Sequence, residues 1–190
     1  MEVAHKSCKP TALCAMIQSH KQNAMTPEQK FLQLFDEMYK LCKEQDWGDP
    51  FSYSRSREIH LSIILGHIVA PTYSGADAYD KEGEVEYKST IAKSINGTYN
   101  GISVQDTWEE QERYLIEDKL GKYSNHYISR YDEGKVVEVW KLSSDDVLMI
   151  LLPKIKKDWE RKINGKYKDP RLSSSLTMTE IYKHGTQIEL

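Results

Sequence analysis

The chain has 190 residues, 39% of them hydrophobic and 29% charged, with a formal net charge of −3 at neutral pH. That length suits one domain with a real core, and the charge balance excludes a polycation that coats nucleic acid along its whole surface. No apolar run reaches membrane-helix length, the opening MEVAHKSCKP has no secretory character, and Cys8, Cys14 and Cys42 lack ligand spacing, so a reduced cytoplasmic protein without membrane or disulfide framework is expected.

Lys9 to Gln22 has helical spacing, with Leu13, Met16 and Ile17 on one face and Pro10 near its start. Thr26-Pro27-Glu28 opens a second helix, with Thr26 as cap and Pro27 at the first helical position. Phe31, Leu32, Leu34, Phe35, Met38, Tyr39, Leu41 and Cys42 give it a broad apolar stripe to about Gln45, where Asp46-Trp47-Gly48-Asp49-Pro50 breaks it. Residues 1–50 read as a helical packing or dimer-forming region, and 51–190 as the core of a single domain. Ser54 to His67 predicts the next helix and carries Glu58. His60 and His67 have no Cys or Asp partner nearby and read as packing or surface residues rather than zinc ligands.

Gly75 to Thr90, GADAYDKEGEVEYKST, has the pattern of a β-hairpin with Asp80-Lys81-Glu82-Gly83 as its turn. Residues two apart share a strand face, so Glu84, Glu86 and Lys88 point the same way, with Asp77 roughly opposite Glu86 and Lys88. Two carboxylates, Asp77 and Glu86, make a hard-oxygen site suited to Mg²⁺, and Lys88 beside them can hold a phosphate or tune a water. Glu-x-Lys alone carries nothing: it recurs at Glu28–Lys30, Glu117–Lys119, Glu133–Lys135 and Glu160–Lys162. Only Glu86–Lys88 follows an aspartate across a hairpin turn in a β-type run. The competing reading is an exposed hairpin with cross-strand charge pairs.

From Lys93 to Gln105 the chain is rich in Ser, Asn, Gly and Thr and reads as a flexible loop. Beside the hairpin site, Lys93, Ser94, Asn96, Thr98, Tyr99, Asn100, Ser103 and Gln105 are candidates for DNA contact, the amides and hydroxyls toward base edges. Asp106 to Leu120 predicts a surface helix ending at Gly121. Tyr127 to Tyr131 and Lys135 to Leu142 predict a hairpin around Asp132-Glu133-Gly134, and Ser143 caps a helix that Pro153 should kink or divide. Lys154 to Arg171 holds eight Lys and Arg against three acids, a composition suited to phosphates or to a solvated face. Strands are expected at about Ser175–Tyr182 and Thr186–Glu189. The class is α/β or mixed α+β, a central mixed sheet flanked by helices.

On Asp77-Ala78-Tyr79-Asp80, the turn at Gly83 and Glu86-Tyr87-Lys88, the chain resembles the PD-(D/E)xK nuclease superfamily, and within it the type II restriction endonucleases. His126 to Leu142, Lys157 to Lys162 and Tyr182 to Ile188 resemble later segments of the same family, so the likeness covers about 71–90 and 124–190. It departs from the family in three places. Ala76 stands where the motif often has proline, Ser74 where some members carry a glutamate, and no histidine cluster follows the Glu-x-Lys strand. The resemblance implies a restriction-endonuclease-like core with extra N-terminal helices. Asp77, Glu86 and Lys88 would be catalytic, and Mg²⁺ would be held by Asp77, Glu86 and the Tyr87 carbonyl. Glu58, on the helix before the hairpin, is the candidate for an added carboxylate. It further implies Mg²⁺-dependent hydrolysis of double-stranded DNA to 5′-phosphate ends by a homodimer, with a cognate DNA methyltransferase as its genetic companion. The alternatives are a nicking subunit or repair nuclease of the same fold, and a non-catalytic DNA-binding protein.

Overall fold

The computed structural model describes residues 25–71, 75–165 and 171–190. The expected helix at Lys9–Gln22, together with Ser74, Lys166 and Lys168, lies outside the described residues. The chain separates into two compact units, Met1–Leu41 and Cys42–Leu190. Helix α1, Pro27–Glu44, runs across the division. Thr26 and Gln29 cap it reciprocally: the Gln29 amide donates to Thr26 Oγ1 at 3.2 Å, and the Thr26 amide donates to Gln29 Oε1 at 2.9 Å. Its large apolar side chains from Phe31 to Leu41 are exposed.

In the second unit, α2 (Arg55–Leu65) ends on Gly66 in the left-handed region. Strands β1 (Ile68–Val69), β2 (Ala78–Tyr79) and β3 (Glu84–Thr90) follow, then β4 (Gly97–Ser103). Helix α3 (Trp108–Tyr114) continues as one π turn, Leu115–Lys119. Next come β5 (Asn125–Asp132), β6 (Lys135–Ser143), α4 (Ser144–Ile163), β7 (Arg171–Leu176), α5 (Met178–His184) and β8 (Thr186–Ile188). Six strands form one mixed sheet in the order β1-β2-β3-β5-β6-β8, with β3 and β5 parallel and the other pairs antiparallel. A separate antiparallel ribbon joins β4 and β7. The fold is therefore mixed α/β, and no described helix is long and apolar enough to cross a membrane.

Alternation along the strands supplies both layers. Ile128 and Leu142 pack with Tyr99, Ile102, Leu151 and Ile155, which belong to the ribbon and α4, while Val85, Tyr87, Tyr127 and Val139 pack with Leu61 of α2. In the parallel register Glu86 lies beside His126 and Lys88 beside Ile128. Neighbours in a ladder share a face, so Glu86 and Lys88 look toward the layer formed by the ribbon and α4.

Four expectations are corrected. Residues 97–103 are a strand rather than a flexible loop; a bulge between Tyr99 and Ile102, with Gly101 at φ 69°, turns both apolar side chains inward. Residues 178–184 are helix rather than strand, because Thr177 and Glu180 form a capping box. Helix α4 runs unbroken through Pro153. The expected surface helix at 106–120 is a short helix plus the π turn, with Gln111, Leu115 and Leu120 buried.

Candidate active site

The Asp80 carboxylate organises the hairpin. Its Oδ1 accepts from the amides of Glu82 and Gly83, and its Oδ2 from Asn125 Nδ2 and Tyr127 Oη, each at 2.9 Å. Burial would raise this carboxyl, but the four donors outweigh it and hold the group below the usual carboxylate range. The turn is thus fixed to β5, and Asp77 is placed at the open end of β2. The Asp77 amide donates to the Val85 carbonyl at 3.0 Å, and the Tyr87 amide donates to Asp77 Oδ2 at 2.7 Å. Asp80 is structural; Asp77 is the carboxylate turned toward Glu86.

Asp77, Glu86, Lys88 and Glu58 line one cavity of about 520 Å³. Helix α2 carries Glu58 there and fixes it from behind. The fully buried Arg55 donates to the Trp47 and Ala70 carbonyls and pairs with Glu58 at 3.3 Å, while Ser54 Oγ donates to the other Glu58 oxygen. Lys88 Nζ contacts Glu86 Oε1, donates to the Tyr87 carbonyl at 3.2 Å and stands 5.1 Å from the centroid of the Tyr99 ring.

Electrostatics follow from crowding acids where little water reaches. Burial first, then the charges of Glu86 and Glu58, push the Asp77 carboxyl up to about 8, against the pull of Lys88 and the Tyr87 amide. Burial alone would lower the Lys88 ammonium, but Glu86, Asp77 and Glu58 outweigh it and hold it above its ordinary range. Lys88 is accordingly a fixed positive donor near neutrality rather than a neutral base. Burial lowers His126 to about 4, so this residue beside Glu86 is neutral.

The chain matches no known family model, and no curated protein matches it. The case for a function therefore rests on the site itself.

Among the described residues, no three His, Cys, Asp or Glu side chains are gathered closely enough to hold a metal ion. The donor set that fits Mg²⁺ here is a smaller one, Asp77 and Glu86 with the Tyr87 carbonyl, and Glu58 lines the same cavity. Its chemistry is all oxygen, and burial together with the charges of Glu86 and Glu58 raises the Asp77 carboxyl.

The candidate DNA-contact residues divide. Lys93, Ser94, Thr98 and Ser103 are exposed, and Asn100 lines the cavity. Asn96 is half-buried, bonded to Thr90 Oγ1 and the Ser94 carbonyl. Gln105 makes main-chain bonds with Gln111 and Trp159. Tyr99 is buried with its hydroxyl on His126, which removes it from a DNA-facing set. The basic stretch of α4 is also largely engaged internally: Lys154 with Glu180, Arg161 with Asp158, Lys162 with the Arg171 carbonyl, and Lys156 over the Trp108 ring.

Sequence reasoning missed part of the cavity's lining. Lys119 and Lys122 stand there on and just after the π turn, with Tyr123 donating to the Gly75 carbonyl at 3.0 Å. Nothing local in the Glu117–Lys119 pair signals the cavity.

Proposed function

We propose that this chain is a Mg²⁺-dependent nuclease of the PD-(D/E)xK kind that hydrolyses double-stranded DNA, acting as a type II restriction endonuclease. The observation that carries the reading is the meeting of Asp77, Glu86, Lys88 and Glu58 in one cavity, with the Asp77 carboxyl raised to about 8 by burial and by the two neighbouring acids. A surface hairpin with structural charge pairs has no reason to bury an aspartate beside two other acids, at a cost to its own stability.

Asp77, Glu86 and the Tyr87 carbonyl would hold the cation, which supplies Lewis acidity at the phosphate. Lys88, kept as an ammonium, donates a hydrogen bond to the attacking water or to the phosphate oxygen and stabilises the charge that develops there. Water oxygen bonds to phosphorus as the bond from phosphorus to the 3′ oxygen breaks, leaving a 5′-phosphate and a 3′-hydroxyl. Lys119 and Lys122, which line the same cavity, suit the flanking phosphates. The ribbon of β4 and β7 presents Thr98, Asn100, Ser103 and Ser173 outward, hydroxyls and an amide of the type that reads base edges, with the exposed Arg171 paired to Ser103. A homodimer joined through the exposed apolar stripe of α1 would put one active centre on each strand of a palindromic site.

The test is digestion of unmethylated phage DNA by the purified chain, with and without Mg²⁺. Discrete Mg²⁺-dependent fragments are expected, and both Asp77→Ala and Lys88→Ala should lose at least about a hundredfold in rate while remaining folded. Full cleavage by either variant would sink the assignment. No cleavage by the folded native chain with any divalent cation would favour a non-catalytic DNA-binding protein.

A further inference from the structure

Lys88 has three neighbours for its ammonium: Glu86 Oε1, the Tyr87 carbonyl and the face of the Tyr99 ring. The first two are the donors assigned above to the cation. A divalent ion there would take both partners from the lysine and repel it at the same time. The Tyr99 ring is the neighbour that this exchange leaves in place, and its negative face attracts an ammonium.

That ring is held with unusual firmness. Tyr99 is only 2% exposed, and the bulge at Gly101 lets both it and Ile102 point into the core. Its hydroxyl lies 2.9 Å from His126 Nδ1, and His126 Nε2 lies 3.0 Å from the Leu120 carbonyl. A carbonyl only accepts, so Nε2 carries the imidazole proton and Nδ1 accepts from the tyrosine hydroxyl. Tyr123 packs edge-on against His126 at 5.6 Å between centroids, and Leu120 closes the π turn, its amide donating to the Leu115 carbonyl at 2.8 Å. The line from the Leu120 carbonyl through His126 and Tyr99 to Lys88 is therefore continuous. A phenylalanine at 99 would fill the same space but leave His126 Nδ1 without its donor.

We propose that Tyr99, anchored through its hydroxyl to His126, is the positioning residue that holds the Lys88 ammonium in the active site when Glu86 and the Tyr87 carbonyl are given to the metal ion. The inference rests on the nuclease reading above for its catalytic consequence, but not for the contact itself.

The test has two arms. In the first, the protein is labelled with ¹³C-lysine, free of metal and DNA, and the Lys88 side-chain ε signals are assigned by their loss in Lys88→Met. They should be displaced upfield of the other lysines by the Tyr99 ring current, persist on titration with Mg²⁺, and move to the ordinary lysine position in Tyr99→Leu. In the second, kcat of Tyr99→Leu should fall about thirtyfold with the half-saturating DNA and Mg²⁺ concentrations unchanged, the size expected of a desolvated cation–π contact. Tyr99→Phe, the milder change, should keep part of the displacement and recover most of kcat. A native Lys88 signal at the ordinary position overturns the proposal, as does Tyr99→Leu that cleaves at the native rate. If Tyr99→Leu fails to fold, Tyr99→Phe decides, and a native shift together with native kcat in it overturns the anchoring by His126. Absence of cleavage by the native chain sinks the nuclease reading instead, and the first arm still judges the contact.

Discussion

Asp77 shows most clearly how a single side chain trades stability for a site. Its carboxyl titrates near 8 in the folded protein against 3.8 for the ordinary group, so the native state binds the extra proton between those values. A group raised in this way favours folding fully below about pH 4, and that contribution is lost as pH rises toward 8. The loss is on the order of a few kcal/mol. Without divalent ions, the melting temperature should therefore fall from pH 5 to pH 8, and Asp77→Asn should flatten that slope and raise the value at pH 8. Mg²⁺ should restore the native protein at pH 8 and do little for the variant. A pH-melting series with and without Mg²⁺ checks this, and identical slopes for both proteins would remove Asp77 as the strained group.

At the scale of elements, the site depends on how tightly the hairpin is tied to β5. Gly83 sits at φ 136°, and a Cβ there would come within 2.6 Å of Ser124 Oγ, which itself donates to the Glu82 carbonyl. Gly83→Ala should cost about 1–3 kcal/mol in denaturant unfolding and weaken cleavage by misplacing Glu86 and Lys88. An alanine variant as stable as the native chain would mean the turn relaxes without strain. The other elements also follow from identifiable local chemistry. Thr177 and Glu180 hold α5 through a capping box that overrides the β-like look of the segment. In α4, the carbonyl deprived of its donor by Pro153 belongs to Met149, an exposed position, and the Ser143 cap together with the buried Val147, Leu151 and Ile155 keeps the helix whole.

For the whole molecule, the exposed stripe on α1 is the feature a monomer explains least well. Phe31 is 66% exposed and Leu32 63%, and Leu34, Phe35, Met38, Tyr39 and Leu41 are exposed as well. Seven large apolar side chains on one helix form a patch of the kind that marks an interface. The proposed homodimer accordingly predicts a sedimentation mass of twice the chain for the native protein. Phe31→Glu with Phe35→Glu should convert it to a monomer that stays folded and loses double-strand cleavage. A native protein that sediments as a monomer would dismiss the dimer and favour a nicking activity.

The periodic and capped elements are legible in the residues themselves: Thr26-Pro27 opening α1, the hairpin of β5 and β6, the Ser143 cap, and the turn at Gly83 that sets Asp77 near Glu86. Each depends on residues a few positions apart, whose backbone chemistry acts locally. Tertiary structure alone decided the rest. Residues 97–103 look like a polar loop because Gly97, Thr98, Asn100, Gly101 and Ser103 leave only Tyr99 and Ile102 apolar, three apart and out of strand period, yet pairing with β7, some seventy residues away, makes them a strand and buries Tyr99. His126 and Lys119 carry no local sign of the cavity. The parallel register sets His126 beside Glu86, and the π turn sets Lys119 in the cavity's lining. Burial, charge and the raised Asp77 carboxyl arise only when separate segments exclude water together, and no window of sequence contains that information.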